Sequence, residues 1–179
     1  MNTRSGQLAS VIATCLEFCS DPKQKASIYL HGPVGCGKTL LAVKMLLRTV
    51  LMLAPDAESE DWAWPFEPQR IQISSVPALL AEIRATFDGN GSSTDVVGYY
   101  STLHWLALDD LGAEKPSDWV CDILFQIIDE RYGALRPTIF TSNLSLGELS
   151  DRLSERIADR ILEMCSGHII EIKLGSYRS

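Results

Sequence analysis

No stretch of this sequence is apolar and long enough to cross a bilayer. Its most hydrophobic helix-patterned segment, LLAVKMLLRTVLML, is interrupted by Lys44 and Arg48 and falls short of the ~20 apolar residues a span requires. The opening MNTRSGQLAS has no apolar core of a secretory leader. A basic excess is missing too: 16 Lys and Arg stand against 23 Asp and Glu, a net charge of −7. That argues against a broad nucleic-acid-binding face and leaves room only for a local basic stripe. The cysteines are five, an odd number (Cys15, Cys19, Cys36, Cys121, Cys165), and without secretory features they read as reduced thiols. Cys15 and Cys19 lie four apart on one helix face, but no second Cys or His pair completes a metal site, so they read as core thiols. Internal repeats, low-complexity tracts and a domain boundary are all lacking. The expectation is one domain over residues 1–179, cytoplasmic, with no membrane partner.

What is present is an alternation of periods. Apolar positions at helical spacing run through Ser5–Cys19 (Leu8, Val11, Ile12, Cys15, Leu16, Cys19) until SDPK breaks them. SIYLH reads as a buried strand, Lys38–Leu53 as a helix, IQIS as a strand and SVPALLAEIRATF as a helix capped by Ser75 with Pro77 in its first turn. VVGYYSTL reads as a short helix and HWLALDD as a strand. SDWVCDILFQIIDERYGA reads as a helix with the apolar stripe Trp119, Ile123, Leu124, Ile127, Ile128 and Tyr132. PTIFTSN, SLGELSDRL, SERIADRILEMC and HIIEIKL read as strand, helix, helix and strand. Strands separated by helical crossovers form parallel sheets, so the fold class is α/β with a buried parallel sheet.

Between SIYLH and the helix from Lys38 stands GPVGCGKT, which meets G-x-x-x-x-G-K-[ST] at Gly32, Gly37, Lys38 and Thr39. Glycines let backbone N–H groups turn inward around an anion, and the helix that starts here adds the positive end of its dipole. Lys38 can reach the β- and γ-phosphates of a nucleotide, and the Thr39 hydroxyl can sit on Mg²⁺. The nucleotide-binding stretch is Gly32, Pro33, Val34, Gly35, Cys36, Gly37, Lys38, Thr39 and Leu40. A chance Gly-rich turn is the bland alternative; the strand before and the helix after speak against it.

HWLALDDLG places acids at the carboxyl end of a strand, where ligands sit in open α/β sheets. Asp109 is the natural Mg²⁺ partner, and Asp110 the group to orient or deprotonate an attacking water. PTIFTSN ends in Ser142 and Asn143, and Asn143 stands to hold that water or touch the γ-phosphate. An Asn at a strand-to-turn junction is also commonplace, and the residues alone favour that plainer reading.

Taken together, GPVGCGKT, LALDDLGAEKPSDWV, PTIFTSNLSLGEL and SERIADRILEMC resemble in order and spacing the ATPase domain of the DnaC/IstB-like AAA+ family, on its helicase-loader side. The resemblance covers about Ser5 to Arg178. It implies an AAA+ type P-loop fold with a five-stranded parallel sheet, ATP and Mg²⁺ as cofactors, and homo-oligomers in the ATP-bound state that share active sites. It implies a replicative helicase and single-stranded DNA as partners. Lys38 and Thr39 match the Walker A lysine and hydroxyl, and Asp109 and Asp110 the Walker B acids. Asn143 matches sensor 1, Arg178 in GSYRS matches sensor 2, and Arg160 in ERIADR matches the arginine finger that serves a neighbour's γ-phosphate. Arg156, four residues earlier, is the rival for that role. Relatives carry an extra helix between the second and third core strands that shapes a spiral assembly, and Thr94–Leu103 lies in that interval.

One departure stands out. Helicase loaders carry an N-terminal helicase-gripping domain, whereas about thirty residues precede the phosphate loop here. The IstB-like transposition helpers share the core, but their segment after the acids usually lacks GAEKP. A nucleotide-dependent switch with little hydrolysis and a small-molecule kinase are the other readings; the lack of an Arg-rich lid between Asp109 and Asn143 counts against the kinase. In DWAWPFEP (Asp61–Pro68), Trp62, Trp64 and Phe66 alternate, and packing onto the core is favoured over stacking on a base.

Overall fold

The computed structural model describes residues 3–21, 25–53, 70–88 and 92–173. Asp61–Pro68 and Arg178 lie outside the described residues. The chain runs α1 (Thr3–Phe18), β1 (Ile28–His31), α2 (Lys38–Leu53), β2 (Ile71–Ser75), α3 (Val76–Ala85), α4 (Ser93–Thr102) and β3 (Trp105–Leu111). It continues through α5 (Asp118–Gly133), β4 (Thr138–Ser142), α6 (Leu146–Arg152), α7 (Glu155–Cys165) and β5 (Ile169–Glu171). The five strands are all parallel, in the order β2-β3-β4-β1-β5.

Both faces of the sheet are covered, which is why its strands read as continuous apolar runs. Side chains alternate between the faces. Tyr29, Leu106, Leu108 and Phe140 pack with α3, α4, α5 and α7 on one side. Ile28, Leu30, Trp105, Ala107 and Ile139 pack with α1 and α2 on the other. Cys15 and Cys19 are buried in that second layer, and no cluster of three or more His, Cys, Asp or Glu side chains that could hold a metal occurs among the described residues. Nor is any described helix long and apolar enough to cross a membrane.

Serines start five of the described helices, and four of them cap with the side chain. Ser75, Ser117, Ser145 and Ser154 each accept a backbone N–H of the first turn, and Ser145 completes a capping box with Glu148. In α5 the buried residues are Val120, Leu124, Ile127, Ile128 and Arg131; Trp119, Ile123 and Tyr132 are only partly buried, so the stripe is rotated from the expected one. Arg131 takes an inward position because its guanidinium caps a helix from the side. It donates to the carbonyls of Tyr100 (3.0 Å), Leu103 (2.8 Å) and Pro137 (2.8 Å) and to Thr138 Oγ1 (2.8 Å). The first two are acceptors left open where α4 ends. Burial pulls the Arg131 guanidinium down to about 9, with Arg136 adding to the shift. α4 fills the interval between β2 and β3 where the extra helix was expected.

Candidate functional site

Three parallel strands deliver the site from their carboxyl ends. β1 ends at His31, and the chain turns through 32–37 into α2, with Lys38 as its first residue. Gly32 is required for a steric reason: at φ +149° a Cβ there would overlap the Ile172 carbonyl oxygen, where the chain leaves β5. Gly32 N–H donates to Ser142 O at 3.3 Å, which ties the loop to β4. Within the loop Cys36 is buried against the α1–α2 layer, and Val34 and Leu40 are exposed.

Lys38 is only 5% exposed, and its ammonium is fully engaged. Nζ donates to Gly32 O (2.8 Å), Pro33 O (3.0 Å) and Asn143 Oδ1 (2.8 Å). The last bond spans from α2 to the residue just past β4, so Asn143 is tied to the phosphate-loop lysine. Thr39 Oγ1 lies 3.0 Å from both carboxylate oxygens of Asp109 and donates to them. Asp109, 7% exposed, is therefore anchored from α2.

The two acids sit on a β-bulge. Leu108 pairs with Phe140 and Leu111 with Ser142, so three steps along β3 match two along β4. Asp109 and Asp110 together face Thr141, and Asp110 takes φ 57°, a left-handed conformation that Asp tolerates better than most residues. Thr141 Oγ1 accepts the Asp110 N–H at 3.1 Å and donates to Asp109 Oδ1 at 2.5 Å. Asp110 is half-buried and open to solvent beside them.

The loop after the acids is braced as well. Gly112 N–H donates to the Glu114 carboxylate (3.0 Å), and Arg152 of α6 donates to Gly112 O and Glu114 O, both at 3.1 Å. Burial raises the Glu114 carboxyl, against the Gly112 N–H and the Arg152 charge, which lower it.

Arg160 lies elsewhere, on the outer side of α7. Its Nε is 2.9 Å from Asp129 Oδ1, its Nη1 donates to Glu163 Oε2 at 2.6 Å, and its guanidinium lies 4.3 Å from the centre of the Tyr132 ring. Arg156 sits one turn earlier over Phe125, 3.9 Å from that ring centre. Both guanidiniums thus rest on aromatic faces of α5. On α7, Ile157 and Ile161 are buried, and Leu162 is half exposed.

The sequence pattern singles out Lys38, Thr39, Asp109, Asp110 and Asn143, and the structure brings the elements that carry them, α2, β3 and the end of β4, to one place beside the phosphate loop. The pattern does not single out Thr141, Glu114 or Arg152. Thr141 has one available signal, its position two before Asn143 in a strand whose parallel neighbour ends in acids.

Comparisons with known proteins bear on the family and the fold. Residues 67–179 match the family described as IstB-like ATP binding protein. The replicative helicase loader DnaC of Escherichia coli (strain K12) is 26% identical over 137 residues, which is 76% of this chain and 50% of that protein. The chain thus spans about half the length of that curated relative. The crystal structure of the DnaC helicase loader superposes with a TM-score of 0.73 at 25% identity, covering 97% of this chain and 92% of that one. The replication initiator DnaA bound to AMPPCP and single-stranded DNA shares the fold with a TM-score of 0.67 at 21% identity, over 91% of this chain and 45% of that one.

Proposed function

The chain belongs to the IstB-like ATP binding protein family, and on that premise we propose that it hydrolyses Mg-ATP as an AAA+ module of the helicase-loader kind. The observation that carries the reading is the convergence of Lys38, Asn143, Thr39 and Asp109 by direct hydrogen bonds at the carboxyl ends of β1, β3 and β4. In this reading Lys38 and the 32–40 backbone bind the β- and γ-phosphates of ATP. Thr39 and Asp109 are the Mg²⁺ residues. Their oxygens are hard donors 3.0 Å apart, a donor pair that suits Mg²⁺. Held there, Mg²⁺ would neutralise charge on the β- and γ-phosphate oxygens.

Asp110 orients a water and accepts its proton as the oxygen bonds to the γ-phosphorus and the bond to ADP breaks. Asn143 holds Lys38 in register with the transferred group. Arg160 completes the site of an adjacent copy in an ATP-bound oligomer, with Arg156 as the alternative finger and Arg178 as the sensor 2 residue. Hydrolysis is coupled to remodelling of single-stranded DNA or a replicative helicase; transposition help is the alternative coupling on the same core.

A second reading is supported by a separate observation. Arg160 is held by its own chain through Asp129, Glu163 and Tyr132, which suits a nucleotide switch that hydrolyses only when a partner draws the finger away. Steady-state phosphate release at several protein concentrations, with and without single-stranded DNA, separates the two. An ATPase with a finger in trans gives specific activity that rises with concentration. Flat, near-zero turnover with tight ATP binding leaves the switch, and no ATP binding at all sinks both.

A further inference from the structure

We propose that Thr141 is a positioning residue for both acids of the site, a role that rests on the reading just given and deepens it. The bulge in β3 sets two residues against one on β4, so a backbone N–H in the bulged stretch loses its ladder partner. That group is Asp110 N–H, and it points at Thr141 Oγ1, 3.1 Å away. A peptide N–H only donates, so the hydroxyl must accept there. Its single hydrogen is then free for one acceptor, and the Asp109 carboxylate stands 2.5 Å away. The direction of the relay is fixed by valence: Asp110 N–H to Thr141 Oγ1, and Thr141 O–H to Asp109 Oδ1.

The consequences differ for the two acids. Asp109 receives hydroxyls from two sides, Thr39 and Thr141, which leaves its carboxylate one orientation for Mg²⁺. Asp110 is held at φ 57° by its backbone, so its carboxylate is aimed by Thr141 with no contact between the two side chains. Thr141 is fully buried in β4, and its β-branched side chain is stiff at χ1, which keeps Oγ1 in the bulge.

The test uses the whole chain, a fluorescent ATP analogue and a Mg²⁺ titration. Thr141→Val keeps shape and strand propensity but loses the hydroxyl. It should raise the Mg²⁺ concentration at half-saturation about tenfold or more, the size of one lost charge-assisted hydrogen bond. Analogue binding in EDTA should stay within about twofold of wild type, because the Lys38 contacts are untouched, while phosphate release at saturating Mg²⁺ falls. Thr141→Ser restores both, a rescue that a purely packing role would not give. If Thr141→Val does not fold, Thr141→Ala replaces it with the same expectations. An unchanged Mg²⁺ half-point and turnover in the valine chain overturns the proposal, as does a serine chain impaired like the valine one. A Lys38→Ala control that binds the analogue like wild type overturns the site assignment itself, and the proposal with it.

Discussion

The phosphate-loop pocket and the outer face of α7 each present a cation, and they hold it in opposite ways. Lys38 is buried, and its three donors go to two loop carbonyls and the amide oxygen of Asn143 just past β4. Arg160 is about one-quarter exposed and is held by two solvent-facing carboxylates and a ring. The pocket is over-determined: removing any one group leaves a buried polar atom unpaired, at a cost of ~1–3 kcal/mol each. The outer face is held by exposed ion pairs worth ~0–1 kcal/mol apiece and by stacking of similar size. The pocket is therefore held firmly by its own groups, while the arginine face is held by contacts that cost little to rearrange.

The largest test of that contrast is Lys38→Ala. It removes the ammonium bonded to the Gly32 and Pro33 carbonyls and should bring nucleotide binding below detection by fluorescence titration. Retained tight binding would place the phosphates somewhere else.

Next in size is Arg160→Ala. Binding should stay near wild type while turnover at high protein concentration falls by ~10³ or more, the range of an arginine finger. Mixing this chain with Lys38→Ala should recover part of the rate, since the second chain has an intact finger and an empty site. If mixing restores nothing although both variants assemble with wild type, the two regions are independent, and Arg156 is the next residue to test.

Asp110→Asn follows. It should bind ATP normally and release phosphate ~10²-fold more slowly, because the amide keeps the size and loses the carboxylate that takes the proton. Wild-type turnover would move the base to another group.

The smallest effect is expected at Asp129→Asn. Loss of its pairing with Arg160 should lower thermal stability by less than ~1 kcal/mol. If the carboxylate restrains the finger, specific activity at low concentration should rise a few-fold. A destabilisation of several kcal/mol would show that the outer face is held as firmly as the pocket, and would end the comparison.

The local parts of this picture are legible in the sequence. α2 spans Lys38–Leu53 as the pattern predicts, because a glycine turn and a continuous apolar stripe mark its bounds. Ser75 caps α3 as expected, because an N-cap serine with a following proline is a signal carried by adjacent residues. What escapes depends on which strand lies beside which. Thr141 looks like an ordinary β-branched residue until β4 is known to pair with β3 in a shifted register. Arg131 looks like a surface charge until the end of α4 is known to lie beneath it. The α5 stripe departs from its expected position for the same reason: an inward arginine and outward aromatics reverse the usual sorting of polarity, and only the partners of those side chains explain it.

The close fit of Gly32 against Ile172 has a mechanical side. Among the described residues β5 is three residues long and lies at one edge of the sheet, paired with β1. It follows α7 after a short turn in which Ser166 and Gly167 are both left-handed. Its far end is bolted to the root of the phosphate loop, where Ile172 N–H donates to His31 O at 2.7 Å and the Ile172 carbonyl fills the space a Gly32 side chain would need. The helix that carries Arg160 and the phosphate loop are therefore close along the chain: α7 ends at Cys165, and the backbone at Ile172 already touches Gly32.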